Sequence, residues 1–147
     1  MFATACARKF SEPELLQRAR QSVRAKDDAN ASILYRQILQ KNARHPEANA
    51  ELAELFVRTG QAMLARERLI RAVELLPQRR DLAILLTEIS YQIYFADPGR
   101  PAALLREIED HATKLIERWP DEADGYRLKG QALLERRRTA EAIELLE

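Results

Sequence analysis

The chain has 147 residues, of which 46% are hydrophobic and 32% charged, and its 24 Lys and Arg residues nearly balance 23 Asp and Glu residues. This composition is typical of one mostly helical globular domain, and a net charge of +1 excludes the broad basic surface of most nucleic-acid-binding domains. The single cysteine, Cys6, excludes an intrachain disulfide and a cysteine metal site. The longest apolar window, 82–96, contains Glu88 and is too short to span a bilayer.

Residues 1–11 form an N-terminal segment that precedes the first helical pattern. Small residues up to Ala5 stand directly before Cys6, as in the cleavage box of a bacterial lipoprotein signal. The apolar stretch that normally precedes such a box is missing, because only Met1 and Phe2 stand upstream of the small residues. Two explanations stay open: the start of the signal is clipped, or the match is fortuitous. Cys6 is a candidate lipidation site under the first of them.

The segment 12–45 shows two helical patterns separated by a polar turn at Lys26–Asp28. Apolar residues recur at steps of three and four, which is the periodicity of an amphipathic helix. The positions that share this periodicity are Leu15, Leu16, Ala19 and Val23, then Ala31, Tyr35, Ile38 and Leu39. Two successive helices with one apolar face each predict a helical hairpin.

The segment 46–79 repeats this order. Its apolar positions are Leu52, Ala53, Phe56, Ala65, Leu69, Ala72 and Val73. Gly60 can take the left-handed conformation that ends the first helix, and Pro77 disfavours helical geometry at Leu76 and so ends the second. Ala31 and Ala65 are 34 residues apart, which predicts that the hairpin is a repeating unit.

The segment 80–122 is a third unit, about nine residues longer than its neighbours. Asp97–Gly99 is a strong turn signal, so helices are predicted over 81–96 and 101–118. Pro101 would stand in the first turn of the second of these helices, where proline is tolerated.

The segment 123–147 is a fourth, incomplete unit. Its pattern residues are Tyr126, Gly130 and Leu133 before a turn around Arg137, then Ala142, Ile143 and Leu146. A solenoid needs a solvent-compatible terminal unit, and no polar capping helix follows here. We therefore expect either a fragment of a longer repeat protein or an end that pairs with another surface.

These repeats resemble the tetratricopeptide repeat, a helix-turn-helix unit of about 34 residues. The second unit matches the family pattern with Ala53 where glycine is usual, and its matching residues are Leu52, Phe56, Ala65, Leu69, Ala72 and Pro77. The fourth unit matches at Tyr126, Gly130 and Ala142. The resemblance covers about 12–147 and implies an all-α, right-handed superhelical solenoid of about four hairpins, with repeats at about 12–45, 46–79, 80–122 and 123–147.

Within that family, the chain is similar to exported bacterial repeat lipoproteins. The segments that carry this similarity are Ala5–Cys6, the insertion at 96–101 and the stretch 124–130. The similarity implies a lipid-anchored protein of the bacterial cell envelope, facing the periplasm. A cytoplasmic protein is the alternative.

No catalytic or cofactor-binding constellation stands out in the sequence, so we expect a non-enzymatic protein without a cofactor or a metal. His111 follows Glu107 by four residues on a predicted helix, but two ligands do not complete a zinc site and a surface pair is expected. His45 is expected to be a solvated turn residue. The basic run Arg136–Arg138 is expected to solvate a turn, because no base-stacking aromatic residues alternate with it as in RNA-binding surfaces.

The resemblance places the first helix of each repeat along a concave surface. The candidate partner-binding residues on that surface are Arg20, Arg24, Glu54, Val57, Arg58, Glu88, Tyr91, Arg127 and Gln131. Family members that grip the carboxylate end of a chaperone tail use Lys and Asn at set positions, which Leu16 and Arg20 occupy here, so that clamp is not expected. The predicted function is a scaffold that binds a peptide or protein on the concave face. The alternatives are self-association through the C-terminal end, or an adaptor part of a larger enzyme or RNA-binding protein.

Overall fold

A computed structural model describes residues 10–146, which form eight α-helices in four consecutive hairpins. The helices are α1 (Glu12–Arg24), α2 (Asp28–Lys41), α3 (Pro46–Arg58), α4 (Ala62–Leu75), α5 (Arg80–Ala96), α6 (Ala102–Arg118), α7 (Ala123–Glu135) and α8 (Thr139–Leu146). Within 10–146 there is no β-strand, and none of the helices has the length and apolarity needed to cross a membrane. The predicted all-α solenoid is confirmed, whereas the candidate lipidation site Cys6 lies outside the described residues.

The third hairpin is longer than the others, as its sequence predicts, because α5 and α6 have 17 residues each. The prediction for Pro101 was wrong in detail. Pro101 has an extended backbone, with φ −62° and ψ 119°, and caps α6 instead of lying inside its first turn. Its carbonyl accepts the amide hydrogen of Leu105 at 3.2 Å, so the first bond of the helix still forms.

The turns inside the first, second and fourth hairpins share one geometry. The second residue after each first helix has a positive φ: 58° at Lys26, 74° at Gly60 and 59° at Arg137. The amide of the next residue then bonds to a carbonyl five residues back, as Gln61 does to Phe56 at 2.8 Å. This is the Schellman closure of a helix C-terminus. In the sequence, only Gly60 indicates this closure, because glycine favours a positive φ. Lys26 and Arg137 take the same conformation at a cost that the two closing hydrogen bonds offset.

Small residues stand where the helices cross. Ala19, Ala65 and Ala112 have no exposed surface, so the helix axes approach closely and a larger side chain would overpack the contact. The crossing of α6 and α7 is tighter still. A Cβ atom on Gly125 would lie 2.8 Å from Cγ1 of Ile116 and 2.9 Å from its backbone nitrogen, so the crossing has room for glycine alone.

The core has two apolar clusters, and α5 contributes to both. Leu82 and Leu86 of α5 belong to the cluster that α1 to α4 build, whereas Tyr91 and Tyr94 of α5 belong to the cluster built with α6 and α7. Most helix contacts join neighbours along the chain, and the contact of α5 with α7 is an additional one. The Tyr91 hydroxyl donates to the Leu128 carbonyl across this contact, at 2.8 Å. Helix α5 therefore ties the two halves of the solenoid together.

Candidate functional site

A shallow recess of about 350 Å³ lies along the first helices of the first two hairpins. We call it the α1–α3 groove, and its lining residues are Arg20, Val23, Arg24, Tyr35, Glu51, Glu54, Leu55, Arg58 and Arg79. Four of the predicted partner-binding residues, from two helices that begin 34 residues apart in the chain, therefore share one surface: Arg20, Arg24, Glu54 and Arg58. Four arginines and two glutamates line it, which gives a net positive surface in a chain that is almost neutral overall.

One wall of the groove is a hydrogen-bonded triad. The buried Tyr35 hydroxyl donates to the Glu51 carboxylate at 2.8 Å, and the Arg20 Nε donates to the same carboxylate at 3.0 Å. Burial, and next the bond to Glu51, raise the pKa of Tyr35, so its hydroxyl stays protonated as a donor. The bond to Glu51 likewise raises the pKa of Arg20. The triad holds Arg20 in position while leaving part of its guanidinium open to solvent.

The other charged residues of the groove differ in how they are held. Arg58 is ion-paired with Asp28 of α2, and the Arg79 guanidinium lies 3.4 Å from Glu54 and also pairs with Asp81. Arg24 is exposed and is part of no ion pair within residues 10–146. Exposed pairs of this kind add little stability, so a partner's carboxylates can compete for these arginines at small cost.

The pKa of Glu54 is raised, although its side chain is partly exposed on α3. Burial raises its pKa, and the neighbouring Glu51 acts in the same direction, while Arg79 opposes both. An arginine or lysine of a bound segment placed beside Glu54 would lower that pKa again. The groove therefore combines four arginines with a carboxylate, that of Glu54, whose pKa a bound partner can shift.

Val57 does not line the α1–α3 groove, although the sequence predicted it as a partner-binding residue. Its side chain is half-buried and packs against the first apolar cluster, and it is not part of the recess lining.

The remaining predicted residues lie at the other end of the solenoid. Glu88 of α5 and Arg127 of α7 form an ion pair at 2.9 Å, and Asp124 lies 3.9 Å from the same arginine. Arg127 and Gln131 also line a recess of about 640 Å³ at the C-terminal end. Its apolar lining includes Tyr126, Gly130, Leu134 and Leu146. The predicted residues thus form two separate groups, one in the α1–α3 groove and one at the C-terminal end. Self-association through the C-terminal end stays a prediction.

Tyr91 cannot contact a partner as predicted. It is 5% exposed, belongs to the second apolar cluster and bonds to the Leu128 carbonyl. The error has a physical cause: the sequence of α5 is apolar on most of its circumference, so periodicity does not separate an inner from an outer face. The exposed aromatic residue of that helix is Phe95, whose ring stacks on Tyr91 with centroids 5.9 Å apart.

Sequence analysis missed Glu51 and Arg79 as groove residues. Neither residue is among the partner-binding residues predicted from the sequence. Glu51 instead accepts hydrogen bonds from Tyr35 and Arg20, which are 16 and 31 residues away. The one available signal was Glu51's position on the same first helix as Glu54, a single turn earlier.

The two histidines are more enclosed than the sequence suggests. His45 caps α3, because its Nδ1 accepts the amide hydrogen of Ala48 at 3.2 Å, so it is no free turn residue. His111 is half-buried, and its buried Nδ1 has no hydrogen-bond partner within residues 10–146. Burial, and next the Lys114 and Arg66 cations, lower its pKa, although Glu107 and Asp110 act in the opposite direction. Residues 10–146 contain no group of three or more metal-ligating side chains.

The basic run after α7 pairs within the chain. Arg136 and Arg138 both bond to Glu109 of α6, and Arg138 also bonds to Glu141 of α8. These contacts fasten the turn between α7 and α8 to the preceding hairpin.

Solved structures of MamA proteins are similar to this chain. MamA AMB-1 matches with a TM-score of 0.78 and 18% identity over 93% of this chain and 70% of its own. The MamA RS-1 ArsTM double mutant matches with a TM-score of 0.73 and 16% identity, over 95% of this chain and 73% of its own. MamA from Desulfovibrio magneticus RS-1 matches with a TM-score of 0.67 and 18% identity, over 92% of this chain and 72% of its own. No protein-family model and no curated relative matches the sequence. At this identity the similarity shows the fold, a tetratricopeptide-like helical solenoid.

Proposed function

We propose that the protein is a non-catalytic interaction module that binds a segment of another protein in the α1–α3 groove. The observation that carries the proposal is the convergence of Arg20, Arg24, Glu54 and Arg58 on one open recess. A surface that joins separate helices in this way suits an extended or helical segment, which can contact several repeats at once.

The charge of the groove favours a partner segment rich in Asp and Glu. Arg24 is exposed without an ion pair in the described residues, and Arg58 and Arg79 hold only surface pairs, so each can bond to an incoming carboxylate. Arginine is well suited to this task, because its planar guanidinium bonds a carboxylate with two parallel hydrogen bonds. The half-buried Val23 and the buried Leu55 supply an apolar floor beneath these charges.

The proposal is tested by selecting short peptides from a displayed random library on the intact chain. We expect enrichment of acidic peptides, with affinities that fall as ionic strength rises because exposed charge pairs are screened. The double variant Arg24→Glu with Arg58→Gln should bind the recovered peptides at least about tenfold more weakly, since it removes two positive charges and adds one negative charge. The measurement is fluorescence anisotropy with labelled peptide.

The matched control is Arg44→Glu with Arg106→Gln. It makes the same change in net charge at two exposed positions outside the groove. Equal weakening by both double variants would show that only overall charge matters, and would contradict a groove site.

The proposed setting of the module is an assembly of the bacterial cell envelope. This part of the proposal is supported only by the sequence around Cys6 and the other segments of the lipoprotein similarity. The adaptor alternatives, part of a larger enzyme or RNA-binding protein, stay predictions.

A further inference from the structure

A second recess, distinct from the α1–α3 groove, lies where α4, α5 and α6 meet. We call it the α4–α6 pocket. Its volume is about 120 Å³, and its apolar walls include Val73, Leu86, Leu115 and the indole of Trp119. The charged and imidazole side chains of its lining are those of His111, Lys114 and Arg118 on α6. Nothing in the proposed function of the groove uses this pocket.

The three polar residues lie on one face of α6. Their spacing of three and four residues stacks them along successive turns, so they border the same side of the opening. Lys114 and Arg118 are exposed and form no ion pair within residues 10–146, although Arg118 lies 5.4 Å above the Trp119 ring. No acidic side chain from the described residues lines the pocket. The rim therefore has two cations that no carboxylate of the pocket neutralises.

His111 is the third polar residue on this face. Its Nδ1 is buried, and a buried polar atom without a partner is costly unless a ligand or a water satisfies it. The acidic residues closest to it on α6 do not supply that partner. Glu107 is ion-paired with Arg66 of α4, and Asp110 points to solvent.

The volume limits what the pocket can hold. It exceeds the roughly 30 Å³ that one water molecule occupies and approaches the roughly 150 Å³ of an apolar cavity that binds benzene. A branched or cyclic group of about four to six carbon atoms fits this range. An apolar recess with a few convergent polar groups at its mouth has the usual chemistry of a small-ligand site.

We infer that the α4–α6 pocket binds a compact apolar group that carries a carboxylate within one or two bonds. The apolar group enters between Leu86, Leu115 and Trp119, and the carboxylate bonds to Lys114 and Arg118 at the rim. Two sources share this chemistry: a free branched carboxylic acid, and the C-terminal residue of a peptide that ends in leucine or a similar residue.

The test uses 4-methylpentanoate for the first source and N-acetyl-L-leucine for the second. Trp119 is the only tryptophan of the chain, so its fluorescence and its indole NMR signal report on this pocket directly. We expect saturable changes at Trp119 and at the His111 ring, with dissociation constants on the order of 1 mM for ligands of this size. N-acetyl-L-leucinamide, which lacks the charge, should bind at least about tenfold more weakly.

The variant Lys114→Gln with Arg118→Gln should remove this preference for the acid over the amide. Arg106→Gln, on the same helix but outside the pocket, should retain the preference. Binding of 4-methylpentanoate alone assigns the site to free acids, and binding of N-acetyl-L-leucine at equal or higher affinity assigns it to peptide ends. The inference is overturned if neither acid gives a saturable change, if acid and amide bind equally, or if the double variant binds the acids unchanged. Peptide binding in the α1–α3 groove is unaffected by either result.

Discussion

Replacing Tyr91 with alanine is expected to lower the free energy of unfolding by about 3–5 kcal/mol, the range for truncating a large buried aromatic side chain. The ring is 5% exposed inside the second apolar cluster, and its hydroxyl bonds to the Leu128 carbonyl at 2.8 Å. Truncation removes the packing of the ring and the buried hydrogen bond between α5 and α7. Urea denaturation followed by circular dichroism measures the loss.

Two companion variants separate packing from hydrogen bonding. Tyr91→Phe keeps the ring and loses only the hydroxyl, so we expect a loss of about 1 kcal/mol. Phe95→Ala truncates the neighbouring ring, which is 41% exposed, and should cost far less than Tyr91→Ala. If Tyr91→Ala is as mild as Phe95→Ala, Tyr91 is not a core residue.

Leu69→Ala is expected to cost about 2–5 kcal/mol, as is usual for a leucine deleted from a core. Leu69 of α4 has no exposed surface and lies in the first apolar cluster. In a repeat solenoid each unit contacts mainly its neighbours, so the damage should stay local. Amide hydrogen exchange should accelerate most in α3, α4 and α5, and least in α7 and α8.

Ile108→Ala is the matching deletion in the second cluster. Ile108 of α6 is also fully buried, so the total loss of stability should be similar. Its exchange pattern should be the reverse, with the largest acceleration in α5 to α7 and the smallest in α1 and α2. Uniform acceleration over all eight helices in both variants would instead show one indivisible cooperative unit, contrary to the two-cluster account.

The sequence predicted the helices well where local signals agree. In the second hairpin, Gly60 ends α3, Leu76 leaves helical geometry ahead of Pro77, and Leu69 is buried, all as the pattern indicates. Each of these effects depends on a few neighbouring residues, so it can be inferred without knowing the rest of the fold. The lengthened third hairpin was predicted for the same reason, because the turn at Asp97–Gly99 is a local signal.

The candidate site was predicted only in part. A repeat register is enough to place Arg20, Arg24, Glu54 and Arg58 on one side of the solenoid. It does not reveal which of them are paired, because the partners are remote: Arg58 bonds to Asp28, 30 residues earlier. Tyr91 was misplaced because α5 has apolar residues on several faces, and only the packing against α7 decides which face is covered.

The first helices of the hairpins are proposed to carry the partner-binding surface. Site-specific photo-crosslinking tests it most directly, with a benzophenone side chain placed at Glu54 or Glu88 on first helices, and at Gln37 or Arg106 on second helices. All four positions are exposed, so the label should not disturb the core. A selected acidic peptide is predicted to crosslink strongly at Glu54, weakly at Glu88 and at neither second-helix position. Crosslinking that is strongest at Gln37 or Arg106 would contradict the account.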